Sequence, residues 1–181
     1  MDLTGEPDGE PQKMGVAFAD IFTGLYGVIA IQSALRVREQ SQKGQHIDLS
    51  LMDSMVAVLA NQASNYFVSG KSPKRMGNKH PNIVPYQVFQ VKDGHLIIAV
   101  GNNEQFERFC KVIGLDYLYS SEEYNNNQKR VQNREKLVEI ITSKTKQYNK
   151  NDLKSLLDEN NVSILSPEQI KEGWLNHTVS Y

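Results

Sequence analysis

Asp20 is the side chain whose surroundings point most directly to chemistry. It lies among small and apolar residues, in the run 17–21, at the start of a long apolar segment. Apolar surroundings disfavour a charged carboxylate, whereas the N-terminus of a helix stabilises it. A carboxylate under both influences is a candidate nucleophile or general base. Asp is also a favoured N-cap residue, so a purely structural role stays open on these grounds.

The other ionisable side chains give weaker indications. Asp48 and Asp53 flank a predicted junction between a strand and a helix, where we interpret them as a structural hydrogen-bonding residue and a capping-box acid. His80 precedes Pro81 in a predicted loop, and binding residues are common in loops. The four histidines lack the spacing of metal ligands, so we predict no metal site.

The composition is typical of an ordinary soluble protein. The 181 residues carry a net charge of −1, and 39% of them are apolar. Without a basic excess we expect no nucleic-acid binding. The N-terminus is acidic and polar, unlike a signal peptide, and no uninterrupted run of 18 apolar residues occurs. We therefore expect no membrane segment. The expected location is cytoplasmic, or mitochondrial in a eukaryote. The single Cys110 excludes an internal disulfide, and its helical apolar pattern favours burial.

A long helix is predicted to position Asp20. Apolar residues recur every three or four positions over about 20–39, which is the period of a helix with one apolar face. Gly24 and Gly27 disfavour this helix, and we interpret them as places where a ligand or another backbone approaches closely.

The chain that follows is predicted to contain a hairpin between capped helices. Strands at 86–91 and 95–100 are joined by Lys92-Asp93-Gly94, which suits a tight antiparallel turn. The fold class is therefore mixed, helix-rich α/β. The elements predicted before the hairpin are a strand at 45–49, a helix from the capping box Ser50–Asp53 to about Val68, and a loop at 69–82. Those predicted directly after it are a helix from Asn102 or Asn103 to about Ile113, a polar surface loop at Glu122–Gln132 and a helix at about 133–147. The last ones are a helix capped by Asn151-Asp152 and reaching about Asn160, a short strand at 162–165 and a turn opened by Pro167.

The segments Ala19–Leu25, Lys43–Leu51 and Gly77–Phe89 follow one another in this chain, and together with the shorter motifs given below they resemble the class III CoA-transferases, the CaiB/BaiF family. The resemblance covers roughly residues 4–162. The sequences of residues 83–87 and 101–106 are most similar to those of transferases of the succinyl-CoA:glutarate type. The matching segments are the lead-in 4–11, Ala19–Leu25 with Asp20, Lys43–Leu51, Gly77–Phe89, Asp93-Gly94, Gly101–Phe106 and Arg130–Arg134.

This resemblance implies a reaction and a set of site residues. Asp20 would attack the carbonyl of an acyl-CoA to give a mixed anhydride, then an enzyme-bound CoA thioester, and finally a new acyl-CoA. Gly24, His80, Pro81 and Tyr86 would line the pocket for the substrate and CoA. The CoA thioester is then a substrate and not a permanently bound cofactor, and a small carboxylic acid is the second substrate. Family members form interlocked homodimers, so a homodimer is expected.

The resemblance also implies a division of the chain. Residues 1–70 would be part of the large CoA-transferase domain, and residues 71–181 a linker and a small domain truncated at the C-terminus. Family members are about twice this long, so we expect a fragment that lacks the N-terminal half, where most CoA-binding residues lie. The basic loop of Lys71, Lys74, Arg75 and Lys79 would either bind CoA phosphates or be a solvated loop.

Two other functions stay open from the sequence. The first is an acyl-CoA racemase of the same fold, although the sequence of Ile21–Gly24 looks more like the motif of the transferases. The second is an inactive truncated fragment that acts only as an interaction module, which exposed apolar faces would favour.

Overall fold

A computed structural model describes residues 3–165. The chain divides into two compact units, Met1–Gly77 (unit 1) and Asn78–Tyr181 (unit 2). Helices account for most of the regular structure, and a small antiparallel sheet lies in unit 2. The mixed, helix-rich α/β class and the hairpin at 86–100 are therefore confirmed. The assignment of residues 1–70 and 71–181 to a large and a small domain stays a prediction.

Unit 1 consists of three helices and the lead-in that precedes them. The helices are α1 (Phe18–Ser41), α2 (Leu51–Val58) and α3 (Asn61–Ser69). The predicted capping box opens α2, because the Ser50 hydroxyl oxygen accepts a hydrogen bond from the Asp53 backbone N–H at 3.0 Å and donates to the Asp53 carboxylate at 2.8 Å. Ser50 thus satisfies one of the backbone donors that a helix leaves unpaired at its start.

Two predictions for unit 1 are wrong. The helix expected to run to Val68 is broken into α2 and α3 at Ala60, whose φ of +47° is incompatible with a continuous right-handed helix. Residues 45–49 form no strand, because no other strand of the described residues pairs with them. An extended segment without a ladder partner gains none of the hydrogen bonds that stabilise a strand.

The apolar residues of α1 are spread around the helix and not confined to the single face that the sequence predicted, and no residue of the helix is buried. Its large apolar side chains are half or more exposed at several positions, for example Val28 at 58% and Ile29 at 61%. By length and composition alone, α1 is also long enough and apolar enough to cross a membrane, which by itself is weak evidence for such a location. The sequence scan missed this because polar residues such as Gln32 interrupt the apolar run.

Unit 2 is built on a three-stranded antiparallel sheet in the order β1-β2-β3. Helices α4 to α8 complete the unit within the described residues. The strands are β1 (Tyr86–Val91), β2 (Gly94–Ala99) and β3 (Ile164–Leu165). The helices are α4 (Asn103–Ile113), α5 (Tyr117–Ser120), α6 (Asn127–Gln132), α7 (Arg134–Thr145) and α8 (Lys150–Glu159).

The hairpin loop is one residue shorter than the sequence indicated. Val91 pairs with Gly94, so the two-residue loop is Lys92-Asp93 and Gly94 already belongs to β2. Gly94 has a φ of +155°, a conformation that residues with a Cβ rarely adopt. The Asp93 carboxylate also accepts a hydrogen bond from the Lys150 backbone N–H at 2.6 Å, which links the turn to the start of α8.

The core of unit 2 combines one face of the sheet with the inner faces of α4, α7 and α8. Alternate strand residues are buried, as expected for a sheet with one covered face. The predicted burial of Cys110 is confirmed, and burial raises the pKa of its thiol to about 12. Core residues include Phe89, Val91, Leu96, Ile98, Phe106, Phe109, Ile113, Leu137, Ile141, Leu153 and Leu157.

Other boundaries in unit 2 also needed correction. The segment Glu122–Gln132, predicted to be a surface loop, contains the short helix α6 and the fully buried Arg130. Helix α8 begins after Asn149 and not at Asn151-Asp152. The Asn102 cap is confirmed, since its side-chain oxygen accepts from the Gln105 N–H at 2.8 Å. The turn predicted at Pro167 lies outside the described residues.

Candidate active site

Asp20 lies in the first turn of α1, three residues after the N-cap. The N-cap is Ala17, whose side chain makes no capping hydrogen bond, so a capping role for Asp20 is wrong. A carboxylate in the first turn is stabilised by the partial positive charge of the helix N-terminus. Asp20 itself is exposed to solvent.

Asp20 also lines a cavity of about 1140 Å³ that is formed within unit 1. Its walls are mostly apolar and come from the lead-in, the start of α1, α2 and α3. Within the part of the chain that the structure describes, Asp20 is the one acid in this lining and Lys13 the one base. The uncharged polar lining residues are Thr4, Asn61, Gln62, Tyr66 and Ser72. A volume above the range of about 300–1,000 Å³ that is common for small-molecule sites leaves room for an acyl group and part of a long substrate.

The two glycines of α1 differ in their surroundings. A Cβ on Gly27 would lie 3.2 Å from Cδ2 of Leu49, so the chain itself approaches closely there. A Cβ on Gly24 would meet nothing within 4 Å, and Gly24 is absent from the cavity lining. Gly24 lies one turn after Asp20 on the same face of the helix. The expected approach of a ligand at Gly24 stays a prediction.

The lead-in is tied to the end of unit 1 by backbone contacts. Arg75 donates to the carbonyls of Glu6 at 3.3 Å and Gly9 at 2.9 Å, and the Gly77 N–H donates to the Gly5 carbonyl at 3.0 Å. Gly77 has a φ of +60°, and a Cβ there would lie 2.9 Å from the Glu6 carboxylate. Arg75 of the basic loop therefore has a structural role, which the sequence analysis missed because its partners are carbonyls 66 and 69 residues away.

The remaining predicted site residues, His80, Pro81 and Tyr86, lie together in unit 2. The His80 ring stacks on the Tyr86 ring with centroids 5.1 Å apart. The His80 backbone N–H donates to the Tyr86 carbonyl at 2.9 Å, and His80 Nδ1 accepts from the Asn82 N–H at 3.1 Å. Because Nδ1 accepts a hydrogen bond, the proton of the neutral imidazole is on Nε2.

Two buried arginines hold the segment 80–84. Arg134 Nη2 donates to the carbonyls of His80 and Pro81, both at 2.9 Å, and its side chain is only 7% exposed. Arg130 donates to the carbonyl of Val84 at 2.8 Å and lies over the Phe106 ring. Sequence reasoning noted these arginines only as part of a family resemblance. Arg130 lies in α6 and Arg134 at the start of α7, so no helical periodicity in the sequence could have revealed their shared role.

These arginines also set the electrostatics around His80. Burial, and then the positive charge of Arg134, lower the pKa of His80 below its usual value, which keeps the imidazole neutral near pH 7. Burial lowers the pKa of Arg130 to about 10, so its guanidinium is still protonated at neutral pH. Among residues 3–165, no group of three or more His, Cys, Asp and Glu is arranged to hold a metal ion.

The chain matches CoA-transferase family III over residues 1–176, and it belongs to this enzyme family. The succinate–glutarate CoA-transferase of Agrobacterium fabrum is 50% identical over 172 residues, which cover 95% of this chain and 43% of that protein. The human succinyl-CoA:glutarate CoA-transferase is 41% identical over 144 residues, covering 80% of this chain and 33% of that protein. The chain thus spans less than half the length of these curated relatives.

Solved structures agree with this assignment. A CaiB/BaiF family protein from Brucella suis is 56% identical, with a TM-score of 0.69 over 92% of this chain and 44% of that one. A hypothetical protein from Mycobacterium tuberculosis has a TM-score of 0.79 over 97% of this chain and 47% of that one. At 18% identity, the second likeness concerns the fold alone.

Proposed function

We propose that this chain provides the nucleophile of an acyl-CoA:carboxylate CoA-transferase. The observation that carries the proposal is the position of Asp20, the one acid among the described lining residues of a large, mostly apolar cavity at the start of α1. A carboxylate in such a position can act as a nucleophile towards a thioester carbonyl. The proposed donor is an acyl-CoA such as succinyl-CoA, and the acceptor is a free carboxylic acid.

The proposed reaction is a covalent relay. An oxygen of Asp20 attacks the thioester carbonyl, the carbon–sulfur bond breaks, and CoA departs as a thiolate. The product on the protein is a mixed anhydride between Asp20 and the donor acyl group. The thiolate then attacks the Asp20 carbonyl and releases the donor acid, which leaves CoA as a thioester on Asp20. The acceptor carboxylate repeats these two steps in reverse and regenerates the Asp20 carboxylate. Splitting the exchange in this way replaces one difficult step with easier ones.

The surroundings of Asp20 favour this role. Water stabilises a carboxylate and weakens it as a nucleophile, so closing the apolar cavity around a substrate would raise the reactivity of Asp20. Asp20 lies in the first turn of α1, where the partial positive charge of the helix N-terminus favours an acidic side chain. The proposed substrate-contacting residues are Gly24, His80, Pro81 and Tyr86. CoA is a substrate here, and no resident cofactor is required.

The names of the relatives suggest the acids. Succinate and glutarate occur in the names of the bacterial and human relatives, and oxalate occurs in that of an Acetobacter aceti relative that is 37% identical. All three are short dicarboxylic acids. We therefore propose dicarboxylic acids as donor and acceptor.

Turnover assays test the proposal. The full polypeptide encoded by the gene is incubated with succinyl-CoA and glutarate, and glutaryl-CoA is measured. We expect Asp20→Asn to abolish transfer, because the amide keeps the shape but lacks the attacking oxyanion. Asp48→Asn is the matched control and should leave transfer unchanged, since Asp48 is exposed and does not line the cavity. Normal transfer by Asp20→Asn would refute the proposal.

A second candidate function is an interaction module that associates through α1. The exposed apolar surface of this helix favours it, since soluble monomers rarely expose large contiguous apolar patches. Light scattering on the 181-residue chain, combined with Val28→Glu and Ile29→Glu, tests the idea. Association lost in both variants would support a dimer or partner surface along α1, and a monomer in all three samples would contradict it.

A further inference from the structure

Lys13 is the one basic residue that the described chain contributes to the cavity lining. Its ammonium group has no ion-pair partner among residues 3–165. Lys13 is exposed and lines a cavity whose other charged lining residue, within the same residues, is the candidate nucleophile Asp20. An unpaired cation in a mostly apolar lining is suited to binding an anionic group of a ligand.

The backbone beside Lys13 is anchored, so the ammonium group is not on a free tail. The Gln12 N–H, immediately before it, donates to the Thr4 carbonyl at 2.9 Å. The same lead-in is held by Arg75 through the carbonyls of Glu6 and Gly9. Lys13 therefore occupies a defined place on the cavity wall, although its side chain keeps rotational freedom.

A dicarboxylic substrate brings two carboxyl groups into this cavity. One forms the thioester that Asp20 would attack, and the other stays ionised at neutral pH. Placing that second anion among apolar walls and beside the Asp20 carboxylate is costly unless a cation or donors compensate it. Among the described lining residues, Lys13 supplies the compensating charge.

We propose that Lys13 binds the distal carboxylate of a short dicarboxylic acid while its other carboxyl group lies against Asp20. This assignment rests on the proposed function. It makes Lys13 a residue that determines specificity: a site that binds a polar group discriminates strongly against the analogue lacking that group. A monocarboxylic acid of equal length leaves Lys13 without a partner.

The test compares glutarate with valerate, the five-carbon acid that lacks the distal carboxylate. Values of kcat/KM for CoA transfer from succinyl-CoA are measured in the full encoded polypeptide and in Lys13→Met and Lys13→Arg. We expect Lys13→Met to reduce the preference for glutarate about tenfold or more, mainly through KM, and to leave valerate unchanged. Lys13→Arg keeps the charge and should retain most of the preference.

Lys43→Met is the matched control, because Lys43 is an exposed lysine of the same unit outside the cavity lining. It should leave both acids unaffected. Binding of glutarate, measured by calorimetry without CoA, provides a readout that does not need turnover. Lys13→Met should weaken it by a similar factor.

The outcomes separate the two proposals. Transfer to glutarate with an unchanged preference in Lys13→Met overturns the role of Lys13 and leaves the proposed function standing. Glutarate binding that depends on Lys13, without CoA transfer to any acid, overturns the proposed function and supports the role of Lys13. Glutarate binding that is unchanged in Lys13→Met, in a protein that transfers no CoA, overturns both proposals.

Discussion

The two units of this chain use their apolar residues in opposite ways. The buried hydrophobic residues of the described chain all lie in unit 2, from Val84 onwards. Its exposed large hydrophobic residues lie in unit 1, with the exceptions of Tyr117 and Leu156. Unit 2 therefore completes its own core, whereas unit 1 depends on additional surface to cover its helices. The candidate nucleophile Asp20 belongs to the unit that is incomplete by itself.

The largest expected effect contrasts the core of unit 2 with α1. Phe109→Ala should lower the free energy of unfolding by about 3–5 kcal/mol, because it removes a buried ring and leaves a cavity. Ile29→Ala should change it by less than about 0.5 kcal/mol, because the side chain is exposed on α1. Urea unfolding of the 181-residue chain checks both values. A large loss on Ile29→Ala would mean that α1 is covered in solution, by a second copy or another protein.

The next effect concerns the buried Arg130. Arg130→Ala removes the donors to the carbonyls of Val84 and Tyr124 and to the Asn103 side chain. Val84 and Tyr124 are buried, and each buried acceptor left unpaired costs about 1–3 kcal/mol, so we expect a loss of about 3 kcal/mol or more. Lys136→Ala, in α7 and paired with Glu123 at the surface, should cause a much smaller loss, because exposed ion pairs contribute little to stability. Equal losses in the two variants would contradict the structural role of Arg130.

A smaller effect is expected at His80. Because the pKa of His80 is lowered in the folded state, the unfolded chain binds a proton at His80 more readily than the folded chain does. The contribution of His80 to the free energy of unfolding is therefore present above about pH 6.5 and lost as the pH falls towards the folded-state pKa. NMR titration should give a His80 pKa below about 6.5 in the wild type.

Arg134→Gln should raise this value, because it removes a nearby positive charge that opposes protonation. The charged groups near the His80 turn also include the Lys79–Glu135 pair, so the titration should be repeated with Lys79→Gln as a control. An unchanged His80 pKa in Arg134→Gln would contradict the electrostatic coupling.

Local signals in the sequence predicted much of the fold. Ser50 and Asn102 are caps because their side-chain oxygens satisfy the first backbone donors of a helix, an interaction that spans three residues. The hairpin was predictable for the same reason, although its loop was predicted one residue too long. In contrast, the break at Ala60 has no local signal, since Ala is the strongest helix former.

The features that the sequence did not reveal depend on distant partners. Arg130 is buried because its donors meet the carbonyl of Val84, 46 residues away, and no hydropathy pattern reports such a contact. Lys13 became a candidate only when the structure placed it in the same cavity as Asp20. The strand predicted at 45–49 failed for the complementary reason, since a strand requires a neighbour that the local sequence cannot supply.

Locating the covalent intermediate tests the central claim most directly. The full encoded polypeptide is incubated with succinyl-CoA without acceptor acid, quenched in acid and digested, and its peptides are analysed by mass spectrometry. We predict a CoA thioester on the peptide that contains Asp20, absent from Asp20→Asn and present in the control Asp48→Asn. An adduct on another carboxylate, or CoA transfer at the normal rate by Asp20→Asn, would contradict the assignment of Asp20 as the nucleophile.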